Sequence, residues 1–429
     1  MKLSLVNKTK TVIKTIKPTE RQRSEENIIS CSEKEDFFRH GKIPKSRSEK
    51  LSTEPFRRKT HKVSLEFLTE AKRILDIVNE KYHSGDTYLD EVFGPQISQD
   101  EATKYLIHYL QSEGLEGALK IIWSSDIDCC GRIIWTGPCA HLNKPEKRRY
   151  RLWLKNTPEN VYLRQQGIKG LADHEIGTHY LRTLNDGFQP WFSNRRLFGL
   201  RSLNSKHLRT TEEGLAAINT LLQLKCRLLW WPAFLYYTAC MSIQMSFKEL
   251  FDHLVLYIRD PDQRWKHVLR VKRDLEDCSG YGGSGKDQVY FTGAVKLLRE
   301  AKETDFRLLY SGKLCIDELN RVKRVRRRSI KLPHFMHEFP EYRHALREMC
   351  FVNCLEPPTI MHYVYGDVTL QDRMATARRN KLRTRKSQPS TKLKPKVCDD
   401  MRKGRKDGAE FICCEVIPIK SRSKTLCIK

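Results

Sequence analysis

The stretch LADHEIGTHYLRTLND, residues 171–186, sets the tightest limit on what this chain can fold into. Its histidines, His174 and His179, are five residues apart, and Glu175 follows the first directly. Two histidines four apart share one face of a helix. On a regular α-helix, five apart places the second about 140° around the axis. One ion can then reach both rings only if the helix absorbs a surplus residue, which is what a π-turn does. Gly177 lies inside the interval, where a backbone distortion costs least. The spacing predicts a bulged helix presenting His174 and His179 as metal ligands, with Glu175 beside them as general base.

A third ligand must come from later in the chain. LRTTEEGLAAINTLL offers Glu212 and Glu213 at the start of an amphipathic helix. Two His and one carboxylate leave a position open for water, the donor set of a catalytic zinc. Before the bulged helix, KIIWSS, GRIIWTG and YRLWLKN are short apolar runs separated by turn residues, which read as a small antiparallel sheet. Helical periodicity is found over 63–83 and 98–114, the second with a Ser98/Glu101 capping box. It recurs over 157–167, 170–186, 209–225, 232–257, 261–277 and 287–302, and again in CIDELNRVKRVRRR. Helices, a small sheet, then helices predict a mostly helical α+β domain.

Charge divides the chain. Of a net +27, residues 1–60 carry +8 and residues 373–429 carry +13. The expected organisation is a basic disordered segment at 1–60, a folded domain at 61–372, and a basic, largely disordered tail at 373–429. Such a balance calls for an acidic partner. The start, MKLSLVNKTK, does not read as a secretory signal, so the 14 Cys are expected to be reduced thiols. LLWWPAFLYYTACM is too short to span a membrane and is expected to be a buried helix starting near Pro232.

Three further motifs carry less. GYGGSGK, residues 280–286, matches the front of a phosphate-binding loop, but Asp287 follows where Ser or Thr would hold magnesium. RVKRVRRR, residues 321–328, is the densest basic run of the folded part, yet no nucleic-acid-binding module accompanies it. His334 and His337 have no carboxylate at matched spacing and are expected to be packing or surface residues.

DHEIGTHYLRTLN, then TEEGLA, then GKDQVYFTGAV together resemble the microtubule-associated tyrosine carboxypeptidase family over roughly residues 63–370, most closely its second vertebrate paralogue. The resemblance implies a zinc metallocarboxypeptidase with one Zn2+ per chain, removing C-terminal tyrosine, glutamate or both from tubulin tails. It implies His174, His179 and Glu213 as ligands, with Glu212 as the alternative third ligand, and Glu175 as the catalytic base. A carboxypeptidase also needs cationic donors for the terminal carboxylate. Arg182 and Arg209 are the candidates, and Lys286 and Tyr290 fall in the third motif, where Tyr290 can help to hold an oxyanion. The implied partner is the acidic tubulin tail on microtubules, with a cytoplasmic location, a monomeric state, and no role for membrane or nucleic acid.

Two other readings compete. One is a non-catalytic basic binder of microtubules or nucleic acid built on a relic peptidase fold. The other is a zinc aminopeptidase, but no acidic motif for a free amine stands out. If the basic ends serve acidic microtubules, removing 1–60 and 373–429 is expected to weaken co-sedimentation with microtubules at low salt. Unchanged binding would assign recognition to the folded part.

Overall fold

The structure is a computed structural model that describes residues 25–44, 61–127, 129–136, 148–327 and 329–356. Its first element corrects the expectation for 1–60. Helix α1, Glu25–His40, lies inside that segment. Phe37 is buried among the rings of Phe247, Phe251 and Trp265, at 5.0–5.3 Å between centroids. An apolar anchor was present in a stretch whose average composition is polar. The expected C-terminal tail lies outside the described residues.

Helix α2, Leu68–Tyr82, buries Ala71, Ile74, Leu75 and Val78, the stripe its periodicity called for. Helix α3, Gly85–Phe93, was not anticipated. Ser84 caps it, and Trp230 packs so closely on Gly85 that a Cβ there would lie 1.8 Å from the indole. Helix α4, Gln99–Ser112, begins with the expected Ser98/Glu101 capping box.

The sheet is mixed rather than antiparallel. Strands β1 (Leu119–Ser124), β2 (Gly131–Thr136) and β3 (Arg149–Lys155) take the order β1-β3-β2. β3 runs parallel to β1 and antiparallel to β2. The short β1–β2 link looks like a hairpin in sequence, but β3 inserts between the two strands. Tyr150, Leu152 and Leu154 of this central strand are buried, and they face a second core formed with α4 and the site helix.

The site helix α5 comprises Gly167–His174, the π-turn Glu175–Tyr180, and Leu181–Gly187. Residues 157–166 do not form the expected helix. Asn160 instead donates to the carbonyls of Lys155 (2.9 Å) and Cys130 (3.3 Å) and accepts from the amide of Tyr162, so side-chain bonds replace helical ones. Then come α6 (Lys206–Asn219), α7 (Trp230–Ser242), α8 (Phe247–His253), α9 (Pro261–Lys272), α10 (Gln288–Arg299) and α11 (Phe339–Val352). The expected helix 232–257 is broken at 243–246, because Ser246 and Glu249 form a second capping box that starts α8. CIDELNRVKRVRRR gives only short turns, Ile316–Glu318 and Leu319–Val322.

The glycine-rich loop before α10 has no phosphate-loop role in its bonding. The buried Lys272 ammonium donates to the carbonyls of Ser242, Met245, Gly280 and Gly282 at 2.6–3.0 Å. An internal cation thus gathers the loop. Asp287 is tied up by a forked pair with Arg270. Cys129, Cys130, Cys226, Cys240, Cys278, Cys315, Cys350 and Cys354 are free thiols, and no described helix is long and apolar enough to cross a membrane.

Two glycines from the second and third sequence motifs meet where α6 and α10 cross. A Cβ on Gly214 of α6 would lie 2.2 Å from the backbone of Gly293, and one on Gly293 of α10 would lie 1.8 Å from the Thr210 carbonyl. The motifs therefore encode an interhelical distance, and Glu213 adjoins that contact. Gly293→Ala is expected to push α6 from α10 and to cost about 1–3 kcal/mol, measured as a lower melting temperature in circular dichroism.

Candidate metal centre

The surplus residue between the histidines is taken up by the π-turn. Its hydrogen bonds run from i to i+5, so residues five apart stack. The His174 and His179 rings stand 4.9 Å apart. Thr178 secures the distortion, since its hydroxyl donates to the Asp173 carbonyl at 2.8 Å and accepts from Asn219 Nδ2 at 2.8 Å. Gly177 is needed for space rather than for backbone freedom. A Cβ there would stand 2.8 Å from both Phe335 and the Tyr109 hydroxyl.

Hydrogen bonding fixes which nitrogen each imidazole presents. Thr220 Oγ1 donates to the Ala216 carbonyl (2.8 Å), so toward His174 Nδ1, at 3.0 Å, it accepts. His179 Nδ1 lies 2.9 Å from the Glu212 carboxylate, which also only accepts. Both rings therefore hold a proton on Nδ1 and turn Nε2 inward. Glu213 Oε2 faces both Nε2 atoms, at 3.9 Å from His174 and 3.5 Å from His179. Ligand atoms of His174, His179 and Glu213 all fall within 4.8 Å of one another, a cluster able to hold a metal ion. Two inward imidazole nitrogens and one carboxylate match the donor chemistry of zinc.

Glu212 points elsewhere. Neighbouring helical residues diverge by about 100°. Its carboxylate takes His179 on one side and Arg182 and Lys313 on the other. Burial works to raise its pKa, but Arg182 and Lys313 prevail and hold it well below the usual carboxylate range. Burial, with His179 nearby, pushes His174 down to about 3. Burial also opposes charge on His179, yet Glu213 and Glu212 lift it to about 10. His179 is thus held as a cation by the two glutamates, and a bound metal ion would replace that charge by displacing the proton from its Nε2. Glu175 lies under the edge of the sheet, its Oε1 3.1 Å from where a Cβ of Gly131 would be. Burial lifts its carboxyl to about 7.

The four candidate substrate residues are placed differently. Arg182 is fully buried. It donates through Nε to Leu309 O (3.2 Å), through Nη2 to Leu314 O (2.8 Å), and through Nη1 to Glu212. With its guanidinium committed, it braces Glu212 and is closed to a substrate carboxylate. Arg209 is buried on α6 one turn before Glu213. Lys286 is half-buried, and both it and Arg209 act electrostatically on His61. Tyr290 is half-buried, one turn before Gly293.

Sequence reasoning missed Thr220, Lys313 and the shell around Asp173. Thr220 lies seven residues after Glu213, two turns along one face, and that periodicity could have revealed it. Nothing local marks Lys313, 101 residues beyond Glu212. Asp173 is buried between Tyr109 OH (2.8 Å) and Gln223 Nε2 (2.7 Å), and burial lifts it to about 7. His334 pairs with Glu113 at 2.5 Å and has no ligand role.

Residues 156–355 match the family model described as microtubule-associated tyrosine carboxypeptidase. A rat protein named microtubule-associated tyrosine carboxypeptidase 1 is 33% identical over 307 residues, covering 70% of this chain and 60% of that protein. Its human counterpart is 32% identical over 297 residues, covering 68% and 59%. A mouse protein named "Putative tyrosine carboxypeptidase MATCAP2" is 31% identical over 289 residues, covering 67% and 52%. The chain thus spans about 60% of the length of the first of these relatives.

The geometry separates the two glutamates experimentally. Glu213→Gln is expected to abolish tight zinc binding. Glu212→Gln, which loosens the brace on His179, should weaken it about 10- to 100-fold. Zinc titration against a chelator reads both, and equal losses would overturn the distinction.

Proposed function

The chain belongs to the microtubule-associated tyrosine carboxypeptidase family, and we propose that it is a zinc metallocarboxypeptidase that removes C-terminal tyrosine, glutamate or both from tubulin tails. The observation that carries this reading is the convergence of His174, His179 and Glu213, with Glu175 beside them. The names of the relatives supply the substrate class.

His174, His179 and Glu213 would hold the zinc ion. Bound there, zinc would polarise the scissile carbonyl and acidify a water molecule. Glu175 accepts a proton from the attacking water and delivers it to the departing amine. A carboxyl drawn upward by burial is suited to both roles near neutral pH. Thr220 and Glu212 keep the imidazoles turned inward. Arg209, Lys286 and Tyr290 are the proposed contacts for the tail, and Arg182 acts on the site through Glu212. An acidic tail is drawn to a chain of net charge +27, with affinity falling as salt rises. The working place of such an enzyme is the microtubule cytoskeleton.

The test is mass spectrometry of tubulin-tail peptides after incubation with the full chain, with zinc measured on the same samples. Wild type is expected to shorten the C-terminus, and the masses identify which residues leave. Glu175→Gln is expected to retain zinc while losing at least about 100-fold in turnover. Retained activity would remove Glu175 from its role, and absence of both cleavage and zinc would favour a non-catalytic binder.

A further inference from the structure

A second charged group is buried away from the His174/His179/Glu213 cluster, and no acid among the described residues pairs with it. Arg148, directly before β3, is 7% exposed. Its guanidinium is sandwiched between two rings, 4.1 Å from the centroid of Trp135 and 4.5 Å from that of Phe192. Nε and Nη2 have no hydrogen-bond partner, and no described carboxylate forms a salt bridge with it. The adjacent Tyr150 hydroxyl is also buried without a good partner. The Arg148 guanidinium lies close enough to act on that phenol, yet neither Nε nor Nη2 of Arg148 nor the Tyr150 hydroxyl completes a hydrogen bond. Asp186, the acid felt at Tyr150, accepts through Oδ1 from Trp191 Nε1, Arg195 Nη1 and the Lys313 amide and forms no salt bridge with Arg148.

Burying a cation without an anion is costly, and stacking on rings recovers only part of that cost. A carboxylate would complete the arrangement, taking paired N–H donors from the guanidinium and an O–H from Tyr150. The position relates this group to the candidate site. Gly131 and Trp135 lie on the same face of the edge strand β2, because side chains alternate along a strand. Gly131 adjoins Glu175, and Trp135 adjoins Arg148. Four residues of strand separate the two ends by about 13 Å. An extended peptide along β2 would span that gap with about four residues.

We propose that Arg148, clamped by Trp135 and Phe192, is a carboxylate-binding subsite for an acidic side chain about four residues upstream of the bond that is cut. This rests on the carboxypeptidase reading above. An enzyme that removes a terminal residue has too little chain on the leaving side to reach Arg148, so the acidic side chain must be upstream. The subsite would select tails by the position of an acidic residue, beyond their overall charge.

The test uses tail peptides in which a single Glu is moved along an otherwise Gln-substituted sequence. Binding to the full-length, turnover-deficient Glu175→Gln variant is read by fluorescence anisotropy, and kcat/KM is read on wild type. The expected result is an optimum near the fourth upstream position, worth about tenfold and expressed mainly in KM. Arg148→Gln is expected to flatten the optimum to within about twofold, and Arg148→Lys to keep part of it. Equal use of all positions by wild type, or an unchanged optimum in Arg148→Gln, overturns the subsite. If no peptide is cut, the peptidase reading fails on its own. The anisotropy series still decides the subsite, and absence of position-dependent binding there rejects it. Because the wild-type series needs no substitution in the protein, poor folding of an Arg148 variant leaves the result intact.

Discussion

The Glu212 carboxylate is the point through which the site helix, the helix after it and the 313 loop are joined. It is buried, and it accepts from His179, Arg182 and Lys313. A buried carboxylate without such donors would be neutral or destabilising, whereas charge-assisted bonds make it a fixed anion. Its direction then fixes the others. His179 cannot turn its ring without losing this acceptor, and Arg182 is held in turn by the carbonyls of Leu309 and Leu314. The orientation of the His179 ring is thereby set by backbone from a distant part of the chain.

Helix α6 carries the same constraint into packing. On one side, Gly170 of α5 approaches the Thr220 carbonyl so closely that a Cβ would stand 2.3 Å away. On the other side lies the Gly214–Gly293 crossing. Glu213 and Thr220 are therefore positioned by two helix contacts that leave little room for movement, as a site requiring sub-ångström placement needs. The polar side of the π-turn is satisfied within the same block. Asn219 bonds to Thr178 and Tyr310, and Tyr342 bonds to Asn219.

What could be read from the chain was what a short segment determines alone. The five-residue spacing called for a distorted helix between His174 and His179, and the structure has a π-turn over Glu175–Tyr180. The Ser98 capping box is equally local. The sheet topology was hidden because nothing within β3 states that it will separate β1 from β2. Lys313 was hidden because its partner is 101 residues away. The burial of Arg182 also lay beyond local reading, since the carbonyls of Leu309 and Leu314 that commit it come from another part of the fold. Helix α1 was obscured by a composition average, although Phe37 and Phe38 stand side by side within it.

The π-turn also acts as a phase shift along α5. Every side chain after it is set by the extra residue, including Arg182, Asn185 and Asp186. Asn185 bonds to the carbonyls of Tyr310 and Lys331, and Asp186 accepts from Trp191, Arg195 and Lys313. Deleting one residue would restore the ordinary four-residue spacing of the histidines, but it would rotate everything downstream by about 100°. The repaired motif would then face a protein whose remaining contacts are cut for the longer helix. The late histidine is thus one reading of a helical phase that the second half of α5 records independently.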